Sequence, residues 1–209
     1  MRGCFKIKAV VFDVGGVLQL NKEGGSKKGI QETFAKNFNL NLDDYLDSID
    51  ALYARSTEGL ISKKELLNSL SKNLNFPKKK IEEIYIKGYK KKFKENKGLL
   101  RIAKKLKKRG FKISILSDQW SLSEEPLIPK SFHKIFSPVI VSCDVKVRKP
   151  NKKIYLLLLK KLKLFPGEIL FVDNRAWNLS PAKDLGIKTI LFLNNKLFKK
   201  QLKEFLIDL

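Results

Sequence analysis

Apolar positions along this chain keep two different rhythms. Short, mostly apolar runs at 9–12, 111–116, 169–172 and 187–193 have the length and the β-branched or aromatic content of buried strands, and 138–141 reads as a further short one. Between them apolar residues recur every three to four positions. The 99–109 stretch predicts an amphipathic helix closed by Gly110. Pro150 opens a helix over 154–162, 176–185 ends at Gly186, and 197–206 is a last helix. The run 156–159 is apolar on all sides and predicts a well-buried helix. Strands alternating with helices imply an α/β fold, a doubly wound parallel sheet covered on both faces.

The stretch from residue 30 to 95 breaks this alternation. Phe34, Phe38 and Leu42 stand four apart, and Leu46, Ile49 and Leu52 follow at helical spacing. Ser62 and Glu65 form a capping-box pattern ahead of Leu66, Leu67 and Leu70, and Pro77 starts another helix with Ile81, Ile84 and Tyr85 on one face. Consecutive helices without strands predict an all-helical unit at 21–95, inserted into a core formed by 1–20 and 96–209. The connection over 21–29 is polar and glycine-bearing. It lacks the GK[ST] ending of a nucleotide-binding phosphate loop, which removes that reading.

Candidate chemistry concentrates at 8–20, KAVVFDVGGVLQL. Its apolar run ends abruptly in Asp13, followed by Gly15 and Gly16. Ligands of open α/β sheets bind at the carboxyl ends of strands, and paired glycines let backbone amides approach an anion closely. A strand-end Asp also serves as a turn former or a helix cap, so this feature alone leaves both roles open.

Three later stretches narrow the choice. Residues 8–20 resemble the first motif of the haloacid dehalogenase superfamily, hhhhDxDG[TV]. Ser117 closes the 111–116 strand as that family's second motif does. Lys149 stands in VRKPN, similar to the third motif, and ILFVDNRAWN at 169–178 is similar to the fourth, hhhhDDxxxN. The resemblance covers nearly the whole chain and implies a Rossmann-like core with a helical cap. It further implies a phosphatase acting on a small phosphomonoester through an aspartyl-phosphate, with magnesium as cofactor. Asp13 would be the nucleophile; Ser117, Lys149 and Gly16 would bind the phosphate; Asp13, Gly15, Asp173 and Asn174 would hold the metal.

Two positions depart from the family pattern. Gly15 replaces the second Asp of the first motif, keeping a carbonyl for the metal and losing the acid that protonates the leaving group. Asn174 replaces the second acid of the fourth motif, keeping an oxygen and losing a charge. Such a site predicts attenuated turnover that favours leaving groups which depart easily. It leaves a silent member that binds a phosphorylated ligand or a protein as the alternative. Asp118 stands where many relatives carry Asn, and with Arg175 it is expected to face solvent. Dehalogenation is disfavoured by the glycine context of 13–18.

Composition adds boundaries. The chain is 43% hydrophobic and 31% charged, an ordinary globular balance, and no segment has the length of a bilayer span. Without a signal-peptide pattern, and with only Cys4 and Cys143, a cytoplasmic protein with reduced thiols is expected. His133 is the single histidine and makes no zinc motif. The net charge of +23 admits a polyanion partner, including a nucleic-acid end as substrate. The excess is lysine spread over every predicted helix, without arginine or aromatic interleaving. Solvated lysine faces are therefore the favoured reading.

Overall fold

The computed structural model describes residues 6–22 and 28–205; Cys4 and residues 23–27 of the polar connection lie outside them. The elements in order are β1 (Ala9–Phe12), β2 (Gln19–Asn21), α1 (Lys28–Asn37), α2 (Leu42–Thr57), α3 (Lys63–Leu74), α4 (Lys78–Lys92) and β3 (Phe93–Glu95). Then come α5 (Lys97–Lys108), β4 (Lys112–Ser117), α6 (Glu124–Leu127), α7 (Lys130–His133), β5 (Val139–Val141) and α8 (Ser142–Val145). The chain finishes with α9 (Lys152–Leu162), β6 (Ile169–Asp173), α10 (Ala176–Asp184), β7 (Lys188–Leu191) and α11 (Asn195–Glu204).

Five strands form a parallel sheet in the order β5-β4-β1-β6-β7. β1 is central, bonded to β4 on one side and β6 on the other. Its four residues are fully buried, because alternate side chains must enter a covered face on each side. Val10 and Phe12 pack with Leu99 and Leu106 of α5 and Phe198 and Leu202 of α11. Ala9 and Val11 pack with Ile154 and Leu158 of α9 and Leu179 of α10. The core is thus the doubly wound α/β arrangement that the alternation of strands and helices predicts.

Leu156 corrects the expectation of a helix buried all round. It is 51% exposed, while Ile154, Tyr155, Leu158 and Leu162 turn inward. An outer-layer helix buries one stripe, and i, i+4 spacing, not the number of leucines, selects it.

β2 and β3 pair antiparallel, with Gln19 opposite Glu95 and Asn21 opposite Phe93. The chain therefore leaves and re-enters the core through a two-stranded ribbon, and α1–α4 are inserted between its strands. Phe34, Tyr45, Leu66, Leu70 and Tyr85 centre their apolar cluster, and Trp120 and Leu122, from the loop after β4, join it. The Ser62–Glu65 capping box is formed. Phe34, Phe38 and Leu42 do not share one helix, since Asn39 adopts a left-handed conformation and Asn41 caps α2 through the Asp44 amide. Beyond α2, Gly59 has φ +63°, and a Cβ there would lie 2.2 Å from the Cys143 carbonyl oxygen. Glycine thus lets that turn lie against α8. No described helix is long and apolar enough to cross a membrane.

Candidate active site

Asp13 follows β1, Ser117 ends β4 and Asp173 ends β6, so three neighbouring parallel strands deliver their polar ends to one edge. Lys149 reaches that edge from the loop between α8 and α9. Its Nζ donates to Asp13 Oδ1 at 2.8 Å, to Asp173 Oδ2 at 2.7 Å and to the Leu116 carbonyl at 3.2 Å. An ammonium has three donors, and all three are used. The Lys149 side chain is 1% exposed, so its context, not its charge alone, separates it from the surface lysines.

Asp173 is the more heavily held acid. Besides Lys149 it accepts the Arg175 amide at 2.8 Å and Asn178 Nδ2 at 3.0 Å. Asn178 is itself fixed, because its carbonyl accepts Tyr155 Oη at 2.6 Å. Asp13 accepts from Lys149. Burial is the main cause that lifts the Asp13 carboxyl to about 6, Lys149 opposes the rise, and the Asp173 charge adds to it. Burial works against the Lys149 charge, but Asp13, Asp173 and Asp118 outweigh it and hold the ammonium well above its usual range.

The two glycines differ. Gly16 has φ +82°, and an added Cβ would lie 2.2 Å from Asn174 Nδ2, so its missing side chain is the space the Asn174 amide occupies. At Gly15 an added Cβ would meet nothing within 4 Å. The absent acid has left open room beside Asp13.

Asp13, Asp173, the Gly15 carbonyl and the Asn174 amide offer only hard oxygen donors, and one lysine touches both carboxylates. That donor set fits a magnesium-sized cation. A different group, Glu124, Cys143 and Asp144, also brings its ligand-type atoms within 4.8 Å of one another. Its thiol already donates toward Glu124.

Two expectations about flanking residues need correction. Asp118 does not face solvent, because its Oδ1 accepts the Lys149 backbone amide at 3.0 Å and ties the lysine loop to the end of β4. Burial raises its carboxyl above the ordinary range against the pull of Lys149. Arg175 is half-buried, with its guanidinium 5.6 Å from the centre of the Trp177 ring. Sequence reasoning also passed over Asn178, although it is the last residue of the 169–178 stretch, and Gln119, which donates to Ser117 Oγ at 2.9 Å.

The insertion touches this edge. Arg148 pairs with Glu58 at the end of α2 at 2.9 Å, and Ser56 and Ser121 hydroxyls lie 3.0 Å apart. Trp120, three residues after Ser117, donates its indole N–H to Tyr89 of α4 at 3.0 Å.

Comparison with known proteins agrees with the fold. The phosphorylated carbohydrates phosphatase of Thermotoga maritima is 25% identical over 187 residues, covering 88% of this chain and 84% of that protein. Mouse bifunctional epoxide hydrolase 2 is 36% identical over 117 residues, 52% of this chain; the match spans about a fifth of that protein's length, 21%. Further matches include (S)-2-haloacid dehalogenases. Among solved structures, the HAD family enzyme BT-2542 of Bacteroides thetaiotaomicron, in complex with magnesium and inorganic phosphate, superposes with a TM-score of 0.70 at 21% identity, covering 88% of this chain and 93% of that one. Residues 7–186 match the family described as haloacid dehalogenase-like hydrolase, and the chain belongs to it.

Proposed function

We propose that this hydrolase removes the phosphoryl group from a small phosphorylated molecule, through an aspartyl-phosphate on Asp13. The observation that carries the reading is the placement of Asp13 beside the Lys149 ammonium and Asp173, at the same sheet edge as Ser117. Asp13 keeps carboxylate lone pairs free of Lys149, so it can attack phosphorus while Lys149 and Ser117 meet the equatorial oxygens. A new P–O bond to Asp13 forms as the bond to the leaving oxygen breaks. Water then attacks the same phosphorus, releasing inorganic phosphate and restoring the carboxylate.

Magnesium held by Asp13, the Gly15 carbonyl, Asp173 and Asn174 would offset phosphoryl charge. With no carboxylic acid at Gly15, the leaving oxygen takes its proton from water, which favours acyl and aryl phosphates. The insertion at 21–95 acts as the cap over this edge, above a core of 1–20 and 96–209. Dehalogenation fits less well: a second carboxylate at Asp173 would repel a haloacid carboxylate beside a lysine that both acids already share.

The test is hydrolysis of an activated aryl phosphate with and without magnesium, by the native protein and Asp13→Asn. Magnesium-dependent release of phosphate that Asp13→Asn abolishes is the expected result. Turnover surviving in Asp13→Asn would remove the nucleophile. A folded native protein that binds phosphate and never turns over would instead support the silent-binder reading, for which the open space at Gly15 speaks.

A further inference from the structure

Ser117 can serve a phosphoryl oxygen only by donating its proton, yet a serine hydroxyl also accepts and can rotate into either role. What surrounds Ser117 decides. Its Oγ is 2.9 Å from Gln119 Nε2, and Gln119 Oε1 is 2.6 Å from Ser123 Oγ. The shorter distance is typical of O–H···O and the longer of N–H···O, which orients the amide with its nitrogen toward Ser117. All three residues are buried.

The next links point the same way. The Tyr89 hydroxyl of α4 accepts the Trp120 indole N–H at 3.0 Å, and Ser123 Oγ also lies 3.2 Å from the Trp120 carbonyl, a second acceptor farther away than Gln119 Oε1. An indole nitrogen can only donate. The Ser123 proton passes toward Gln119, the nearer of its two acceptors, and the amide hydrogens toward Ser117. The Gln119 backbone is locked as well, since its amide donates to Ser142 Oγ at 3.1 Å and its carbonyl accepts from the same hydroxyl at 3.2 Å.

We infer that Gln119 is a positioning residue: it donates to Ser117 Oγ, fixing that hydroxyl as a donor to a phosphoryl oxygen, in a one-way hydrogen-bond chain that runs from Ser123 through Gln119 to Ser117. The inference rests on the phosphatase reading. In Gln119→Glu both side-chain oxygens accept, so the Ser117 proton turns inward and the outward donor is lost. Gln119→Met removes the contact without adding a charge.

The test is a double-mutant cycle on binding of inorganic phosphate in the presence of magnesium, with thermal melts alongside. Gln119→Glu and Ser117→Ala should each weaken binding by about tenfold, the scale of one hydrogen bond to a charged group, and the double variant should weaken it no further. Gln119→Met should lose about threefold with Ser117 present and nothing in the Ser117→Ala background. Undiminished loss from Gln119→Glu when Ser117 is absent would show that its charge alone acts, and would overturn the inference. So would unchanged phosphate binding in folded Gln119→Met. A native protein that neither binds phosphate nor hydrolyses an aryl phosphate would overturn the phosphatase reading itself, a result separable from the other two.

Discussion

Asp13 and Asp173 end neighbouring strands and share the same lysine, yet they are built for different work. Asp173 is 0% exposed at its side chain and accepts from Lys149, a backbone amide and an asparagine that is itself tied down. Asp13 is 9% exposed and has fewer partners. A carboxylate with three donors on its two oxygens is held in place. One whose lone pairs are partly free can attack. The extent of hydrogen bonding, not the residue type, separates the two acids, and on the phosphatase reading it leaves Asp13 the one able to attack.

Substituting each acid in turn breaks this comparison most directly. Asp173→Asn sets an amide nitrogen against donors and leaves Lys149 one acid, and loss of one partner of a buried pair costs about 3–5 kcal/mol. Asp13→Asn should cost far less stability while abolishing turnover. Denaturant unfolding of both variants in metal-free buffer measures the gap, and equal losses would remove the distinction. The same experiment has a pH arm. The Asp13 carboxyl is raised to about 6 from 3.8, so its contribution to stability is present below about pH 4 and lost as pH rises through about 6. That slope should be missing from Asp13→Asn.

The paired glycines sharpen it next. Gly16→Ala meets both a left-handed backbone and the Asn174 amide, and should destabilise by about 1–3 kcal/mol. Gly15→Asp enters open space with no such backbone conflict, so in the presence of magnesium it should raise aryl phosphate hydrolysis, on the order of tenfold to a hundredfold. A Gly15→Asp protein that folds, binds magnesium and gains nothing would show that proton transfer is not what limits the site. The smallest effect belongs to Glu58→Gln. It removes an Arg148 pair whose side chains are 43% and 38% exposed, and should shift stability by less than about 1 kcal/mol. The contrast with the buried lysine would then be complete within one loop.

Much of this was legible in the chain. The buried runs at 9–12, 111–116 and 169–172 lie at β1, β4 and β6 to within a residue, because fully covered strands admit almost no polar side chains and the pattern stays clean. The Ser62 capping box is equally local. Less legible were interactions that join distant segments. The β2–β3 ribbon pairs residues about seventy positions apart through their backbones, and three-residue strands leave no alternation to read. Asp118 was misread because its partner is a backbone amide 31 residues on. Gln119 carries no chemistry of its own and shows its role only through what it touches. Asp13 and Lys149 could be singled out from motifs, whereas the contacts that support them could be found only in space.

Trp120 has a further consequence for how the molecule melts. It belongs to the loop after β4, yet its ring lies 4.9 Å from Tyr85 and 5.2 Å from Tyr53 among the inserted helices. Those helices cannot lose their packing without stranding a large indole in water, and the sheet cannot release that loop without emptying the centre of the helical cluster. Heat absorption should therefore show one cooperative transition, with calorimetric and van't Hoff enthalpies that agree. In a Trp177→Phe background, the emission of Trp120 should shift to longer wavelength over the same few degrees as its burial is lost, making it a natural thermometer for the joint between the two halves.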